Sequence, residues 1–450
     1  MVKWENFRTF IVDYQSLKGN MKNSNPLDQL RQICLAALSG ASKVRKSFVT
    51  FFIDTMILYL TIPNRINFLQ MARFGNSCES RYRQNFGKQF DWFGFNLHFA
   101  SRMLGHRIAI ALDASFISKS GKCTPGISYF WSGCARAMKR GLEILAFALV
   151  DADEMDAVFL GARQTFLEPI RGRKPKYLKH MDNDNSLIGK YLRAIAENRE
   201  NMLRVSSLLV ADAYFSVSPF VKGVRELGFH LISRLRNDVS LRYIYTGERT
   251  GKRGAPKKYD GKVNLEALRD DIFKTDKVCL DNGKIVTLHH AIVNAKALKE
   301  NILVVIAIFH DPVRKTQVRK VFFSTDIMMK ARDVFDLYRA RFQEEFLFRE
   351  AKVFTGLQHC QARSKEKLDF AFNASLSAVN MARSLAIEME KKTGKRLSVA
   401  AIKVMLNNVA LYERIRFFAG SAETHRHHIK YDTIFEIPED ILMFGVINAA

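Results

Sequence analysis

The stretch ARDVFDLYRARFQEEFLFREAKVFT, residues 331–355, contains no Gly or Pro and is rich in Ala, Arg, Glu and Leu, which predicts one continuous helix. Two stripes run along it. Phe335, Phe342, Phe346 and Val353 fall on one face at intervals of 7, 4 and 7 and are expected to be buried there. Tyr338, Arg341, Glu345 and Lys352, at intervals of 3, 4 and 7, form a narrower stripe beside it, and Arg349 lies one turn beyond Glu345. One carboxylate framed by cations and a phenol suits a divalent metal held next to a phosphate. The carboxylate takes the metal and the bases take the phosphate oxygens. The alternative is a solvated face laced by i,i+4 ion pairs.

Upstream, two apolar runs end alike. RIAIALDAS is apolar from Ile108 to Leu112 and then meets Asp113; SSLLVADAYFS is apolar from Leu208 to Ala211 and then meets Asp212. Each reads as a buried strand ending in Asp followed by Ala. Reactive groups of α/β sheets sit at the carboxyl ends of strands, although an Asp there also caps turns. With Glu345, the two aspartates make a candidate triad of hard oxygen ligands. LEILAFALVD, from Leu142 to Asp151, reads as a further buried strand. Residues 236–325 read as an insert of short strands (LRYIY, KVCL, KIVTLHHAIV, ILVVIAIF, KVFFST), interrupted by a basic loop with Arg249, Lys252, Arg253, Lys257 and Lys258. His289 and His290 are expected to alternate across a strand and not to bind metal.

The flanks look helical. Pro26 opens a helix with Leu27, Leu30, Cys34, Ala37 and Leu38 on one face, and a very apolar helix from Phe48 to Ile62 stops at Pro63. Two short helices, residues 66–73 and 77–86, around a turn at Gly75 and Asn76 resemble a helix-turn-helix. The second offers Ser80, Arg81, Arg83 and Gln84, with Lys88 just beyond, to DNA. Structural packing is the other use of such a pair. A loop with Arg171, Arg173, Lys174, Lys176 and Lys179 is a candidate phosphate contact. Long helices follow at about 365–390 and 398–418, and His425, His427 and His428 read as surface.

The 450 residues carry 70 Lys and Arg against 45 Asp and Glu, a formal charge of +25, which points to a polyanionic partner such as nucleic acid. No run of about 18 apolar residues exists, so no membrane span is expected, and the opening MVKWENFRTF lacks the apolar core of a secretion signal. None of the six cysteines forms a C-x-x-C pair, which argues against zinc and fits a reducing cytosol.

Tyr338, two residues, Arg341, three residues, Glu345, six residues and Lys352 together resemble the Y-R-E-K signature of bacterial insertion-sequence transposases of the insertion-sequence-four type. This is a DDE family with an RNase H-like fold. ALDAS around Asp113 and VADAYF around Asp212 look like its first and second Asp motifs, and the likeness spans about residues 105–385. The resemblance implies an α/β fold: an RNase H-like catalytic core (residues 105–235 and 326–385) interrupted by a β-strand insertion (236–325), with a helical DNA-binding domain (1–104) and a helical C-terminal region (386–450) that serves dimerisation. It implies Asp113, Asp212 and Glu345 as catalytic metal ligands for two Mg²⁺ ions, with Mn²⁺ able to substitute. It implies that Tyr338, Arg341 and Lys352 hold transposon-end phosphates; Arg349 beyond Glu345, and Arg81 and Arg83 of the helix pair, are expected as further DNA contacts from their own placement in the sequence. The expected partners are double-stranded DNA and a second copy of the chain, and the expected location is the bacterial cytoplasm at the nucleoid. Relatives that cut through a DNA hairpin stack a flipped base on an aromatic side chain, often a Trp of the insertion. Here Trp4, Trp92 and Trp131 lie outside that segment, which leaves Tyr243, Tyr245 or Phe323 for such a role. A structure-specific RNase H-like nuclease, or a non-catalytic DNA-binding protein derived from a transposase, are the alternatives.

Overall fold

The computed structural model of the protein describes residues 25–41, 44–101, 107–167, 186–248, 255–280, 283–311, 316–424 and 439–445. The basic loop at Arg171, Arg173, Lys174, Lys176 and Lys179, the cations Arg249, Lys252 and Arg253, and His425, His427 and His428 lie outside these residues, as does Trp4.

The chain opens with helices α1 (Pro26–Leu38), α2 (Lys46–Thr61), α3 (Phe68–Phe74), α4 (Glu79–Asn85) and α5 (Trp92–Ala100). Strands β1 (Ile108–Ser118), β2 (Ser128–Ser132), β3 (Ala137–Asp151) and β4 (Asp156–Gln164) follow, then α6 (Leu187–Leu203), β5 (Leu208–Ala211), α7 (Ser218–Glu226) and β6 (His230–Leu235). The inserted strands are β7 (Leu241–Ile244), β8 (Tyr259–Lys262), β9 (Lys274–Cys279), β10 (Ile285–Ala295), β11 (Glu300–Asp311) and β12 (Thr316–Ser324). Helices α8 (Ala331–Ala340), α9 (Phe342–Val353), α10 (Lys365–Thr393) and α11 (Val399–Thr424) close the described core.

Among the described residues the strands form a single mixed sheet in the order β2-β3-β1-β5-β6-β12-β11-β10-β7-β8, with β4 on β3 and β9 on β10. Its first half is an antiparallel β4-β3-β1 ladder joined to two parallel strands, β5 and β6. That is the layout of an RNase H-like core. The inserted strands continue the same sheet, because β12 pairs antiparallel with β6. Alternation along each strand feeds two cores. Ala109 and Ala111 join the core under α8–α11, whereas Ile110 and Leu112 join the core under α6 and α7.

The helices before residue 104 do not pack as a separate module. Phe52, Phe86 and Trp92 surround Phe370 of α10 at ring distances of 6.3, 4.5 and 5.0 Å. Helix α10 is buried from Leu368 to Ala386 almost without interruption, so the dimer contact anticipated from the long helical tail cannot come from its core-facing length. Its buried asparagines have a local purpose. Asn373 and Asn380 exchange hydrogen bonds with the backbone of Ala162 and Phe159 on β4, closing the outer edge of that strand.

The α3–α4 pair is present, with Ser80, Arg81, Arg83, Gln84 and Lys88 all exposed. Its turn depends on Gly75. A Cβ there would lie 2.2 Å from the Tyr82 hydroxyl and 2.7 Å from the Met71 carbonyl. Gly75→Ala is therefore expected to cost about 1–3 kcal/mol, read as a lower denaturant midpoint at unchanged slope.

The 331–355 segment departs from expectation in two ways. It is two helices, broken at Arg341, and not one. The Phe stripe is also not a buried face: Phe335 is buried, but Phe342 is 49 % and Val353 62 % exposed. Helix α9 packs on α10 and β4 through Glu344, Leu347, Phe348 and Ala351, the opposite side of the helix. Phe342 and Phe346 instead pair edge to face on the outside, 5.1 Å apart.

Candidate active site

Strand pairing sets the first two carboxylates. Strands β1 and β5 run parallel with Leu112 opposite Ala211, so Asp113 and Asp212 occupy the next register position on neighbouring strands, about 5 Å apart along the backbone. Both follow residues that face the α6–α7 core, so both side chains belong to the opposite face, where α8 and α9 lie. Strand β1 does not end at Asp113; it runs on to Ser118, because β3 remains as a partner after β5 has stopped. Asp212 does end its strand. Its side chain accepts from the Tyr214 N–H at 2.9 Å, so it also serves as the cap of the short turn Ala213–Phe215.

Two arginine clamps hold the helices over this face. Arg107, just before β1, pairs with Asp153 at 2.7 Å and with Asp336 of α8 at 2.5 Å. Arg383 of α10 pairs with Glu350 of α9 at 2.9 Å and with Asp156 of β4 at 3.0 Å. Tied to α10 and β4 through Glu350, α9 carries Glu345, whose side chain is 42 % exposed. Arg341, at the helix break and largely buried, joins the set. One terminal nitrogen donates to Glu345 Oε1 at 2.9 Å and the other lies 3.9 Å from Asp113 Oδ2. The charge environment of Asp113 includes both Asp212 and Glu345, so the three acidic side chains share one neighbourhood.

Its electrostatics are those of an under-neutralised acidic cluster. Burial, with Asp212 and Glu345 adding to it and Arg341 opposing, pushes the Asp113 carboxyl up to about 7. Tyr338 is half-buried, its ring 4.8 Å from that of Phe322, and burial raises its phenol. Burial lowers the Lys352 ammonium, with Cys134 and Asp113 acting in the other direction. Arg349 points outward and stacks on Phe346 at 4.7 Å. Arg81 and Arg83 sit apart in the N-terminal helical layer; Arg83 pairs with Glu79 and lies 4.9 Å over Phe68. Tyr243 and Phe323 are core residues, 4 % and 0 % exposed, which removes them as stacking platforms for a base. Tyr245 is partly exposed, beneath the Lys257 ammonium at 4.6 Å.

Two acids went unnoticed in the sequence. Glu344 is 1 % exposed, and neither carboxyl oxygen has a hydrogen-bond partner. Burial, with Asp113 next, raises it well above the usual range. Glu143 of β3 is buried, accepts from the Tyr191 hydroxyl at 2.7 Å and is pushed up to about 7, chiefly by burial. The 340–344–348–351 spacing would have placed Glu344 on the packed side; nothing in the sequence marks Glu143.

Oxygen-only carboxylate donors suit a hard divalent cation. The present arrangement, however, is organised around the Arg341 guanidinium. Among the described residues no three His, Cys, Asp or Glu side chains already stand in metal-holding geometry. The guanidinium supplies positive charge beside Asp113 and Glu345.

Residues 96–270 match the family described as DDE superfamily endonuclease. The matched segment contains Asp113 and Asp212 and stops before Glu345. It supports a DDE transposase-like, DNA-acting protein, and DDE superfamily nucleases generally use divalent metal ions. No curated protein matches the chain. No described helix is long and apolar enough to cross a membrane.

Proposed function

We propose that this chain is a DNA transposase of the insertion-sequence-four type. In this reading it binds the terminal inverted repeats of its element and catalyses metal-dependent strand cleavage and strand transfer, two copies pairing the two ends. The observation that carries the proposal is the in-register placement of Asp113 and Asp212 on adjacent parallel strands, with Arg341 reaching both Asp113 and Glu345.

In this reading Asp113, Asp212 and Glu345 hold two Mg²⁺ ions, for which Mn²⁺ can substitute. When bound, such ions would activate the attacking oxygen and stabilise the leaving one. The protein's own residues do the rest. Rigid strands and a clamped helix keep the carboxylates in place. Arg341 swings from the carboxylates to the scissile phosphate, where its fork binds two oxygens. Tyr338 and Lys352 flank it and fix the strand for in-line attack. The +25 charge supplies affinity for the backbone regardless of sequence.

The test uses the full chain and a duplex carrying the DNA that flanks the gene. Mg²⁺-dependent nicking at the edge of an inverted repeat is expected. Cleavage that follows DNA shape and ignores the repeats would instead indicate a structure-specific nuclease. Lys352→Ala is expected to weaken end binding and to flatten the slope of log K against log salt by about 0.9, the signature of one lost phosphate contact. An unchanged slope would remove Lys352 from the phosphate site.

A further inference from the structure

Strands β2 and β3 form a ribbon that outruns its neighbours. Gly141 pairs with both Ser118 of β1 and Ser128 of β2, and beyond it residues 137–140 have only β2 as a partner. Gly141 is required at this crossing, since a Cβ would lie 2.5 Å from the Ile117 carbonyl and from the Phe116 ring. Register places Trp131 opposite Met138 and Tyr129 opposite Arg140, all on one face of the ribbon. The other face carries Phe130 and Ser132, both buried, and the exposed Lys139 opposite Phe130. Trp131 is 59 % and Met138 41 % exposed.

The charge around this apolar pair has one sign. Residues 119–142 contain Lys119, Lys122, Arg136, Lys139 and Arg140 and no Asp or Glu. Lys119 and Arg140 are tied to backbone carbonyls of the chain. Lys122, Arg136 and Lys139 are exposed, and among the described residues no ion pair engages them. The ribbon also looks toward the acidic cluster. Met138 and Arg140 continue the side of β3 that includes Ala146, the residue paired with Asp113. Cys134, in the ribbon's turn, shares with Asp113 the surroundings of Lys352.

We propose that this ribbon is a DNA-holding arm that lies in the major groove of the duplex beside the scissile phosphate, with Trp131 and Met138 against base edges and Arg136 and Lys139 on phosphates. The proposal rests on the reading of the chain as a DNA-cleaving enzyme. A groove about 12 Å wide admits a two-stranded ribbon, and an exposed apolar pair ringed by unpaired cations matches a groove walled by phosphates.

The experiment measures binding of a fluorescently labelled duplex to the full chain without metal, and Mg²⁺-dependent nicking by the same preparations. Trp131→Ala is expected to bind roughly tenfold more weakly. The Arg136→Ala/Lys139→Ala double variant is expected to flatten the salt slope by about 1.8. Trp92 is buried, so in a Trp4→Phe background Trp131→Phe is expected to abolish the emission shift seen when DNA is added. Unchanged affinity for Trp131→Ala, with the emission shift kept in Trp131→Phe, overturns the arm. Nicking with an indifferent ribbon overturns the arm and leaves the enzyme standing; a chain that binds through the ribbon but never nicks supports the arm and contradicts the enzyme.

Discussion

Asp113→Asn and Glu345→Gln are each expected to lower Mg²⁺-dependent nicking by at least about 10³-fold, while affinity for the same duplex, measured without metal, stays equal or rises slightly. Both substitutions keep the shape of the side chain and one oxygen acceptor, so the strand pairing around Asp113 and the packing of α9 survive. What they remove is one anionic oxygen from a set that shares one neighbourhood. In the proposed reading phosphates are held by cations, so binding is expected to persist. Asp212→Asn loses the same chemistry but also bears on the cap to Tyr214, and is the less clean probe. Nicking within tenfold of wild type in either of the first two variants would mean that the acidic cluster is structural. The measurement is initial-rate nicking of a labelled duplex at saturating Mg²⁺.

The second large effect is on stability and depends on pH. The folded Asp113 carboxyl titrates at about 7, against about 3.9 in an unfolded chain. The folded state therefore holds this proton more tightly than the unfolded state. The stabilisation is complete below about pH 4, is lost progressively as pH rises to 7, and is absent above. Asn carries no such titration. Metal-free Asp113→Asn is thus expected to match wild type near pH 4 and to exceed it above pH 7 by on the order of 2 kcal/mol, discounted from the full shift because Arg341 responds to the change. Glu143, also raised to about 7 chiefly by burial, gives a downward trend in both proteins, slightly reduced in Asp113→Asn because the Asp113 charge adds to that rise. Added Mg²⁺ is expected to raise the melting temperature of wild type at pH 8 and to leave that of Asp113→Asn nearly unchanged. Equal stability of the two metal-free proteins at pH 8 would contradict the acidic cluster.

Much of this fold is legible in the residues because its strands are buried on both faces. Runs such as Leu142–Asp151 and Ile302–Phe309 admit few other readings, although the Asp that stops an apolar run ends the strand at Asp212 and not at Asp113. The polar stripe Tyr338, Arg341, Glu345, Lys352 also keeps to one side of its helices. Other features were not legible, for identifiable reasons. Strand β2 hides in a glycine-rich segment whose alternation lasts only from Ser128 to Ser132. The Phe342–Phe346 face looks like core because hydrophobic spacing says which residues share a side, not which side the protein covers. Here the covering elements are β4 and α10, and they meet the side that carries Glu344. The break at Arg341 has no Gly or Pro to announce it. The independence of the N-terminal helices was likewise undecidable, since Phe370, the ring they gather around, lies far along the chain.

The most direct measurement is anomalous diffraction from crystals of the full chain soaked in Mn²⁺. Manganese is expected between Asp113 and Asp212 with Glu345 in reach, and Arg341 withdrawn from at least one carboxylate. Saturating Mn²⁺ that leaves the Arg341 bridge to Asp113 and Glu345 intact, with ions only elsewhere on the surface, would contradict the account.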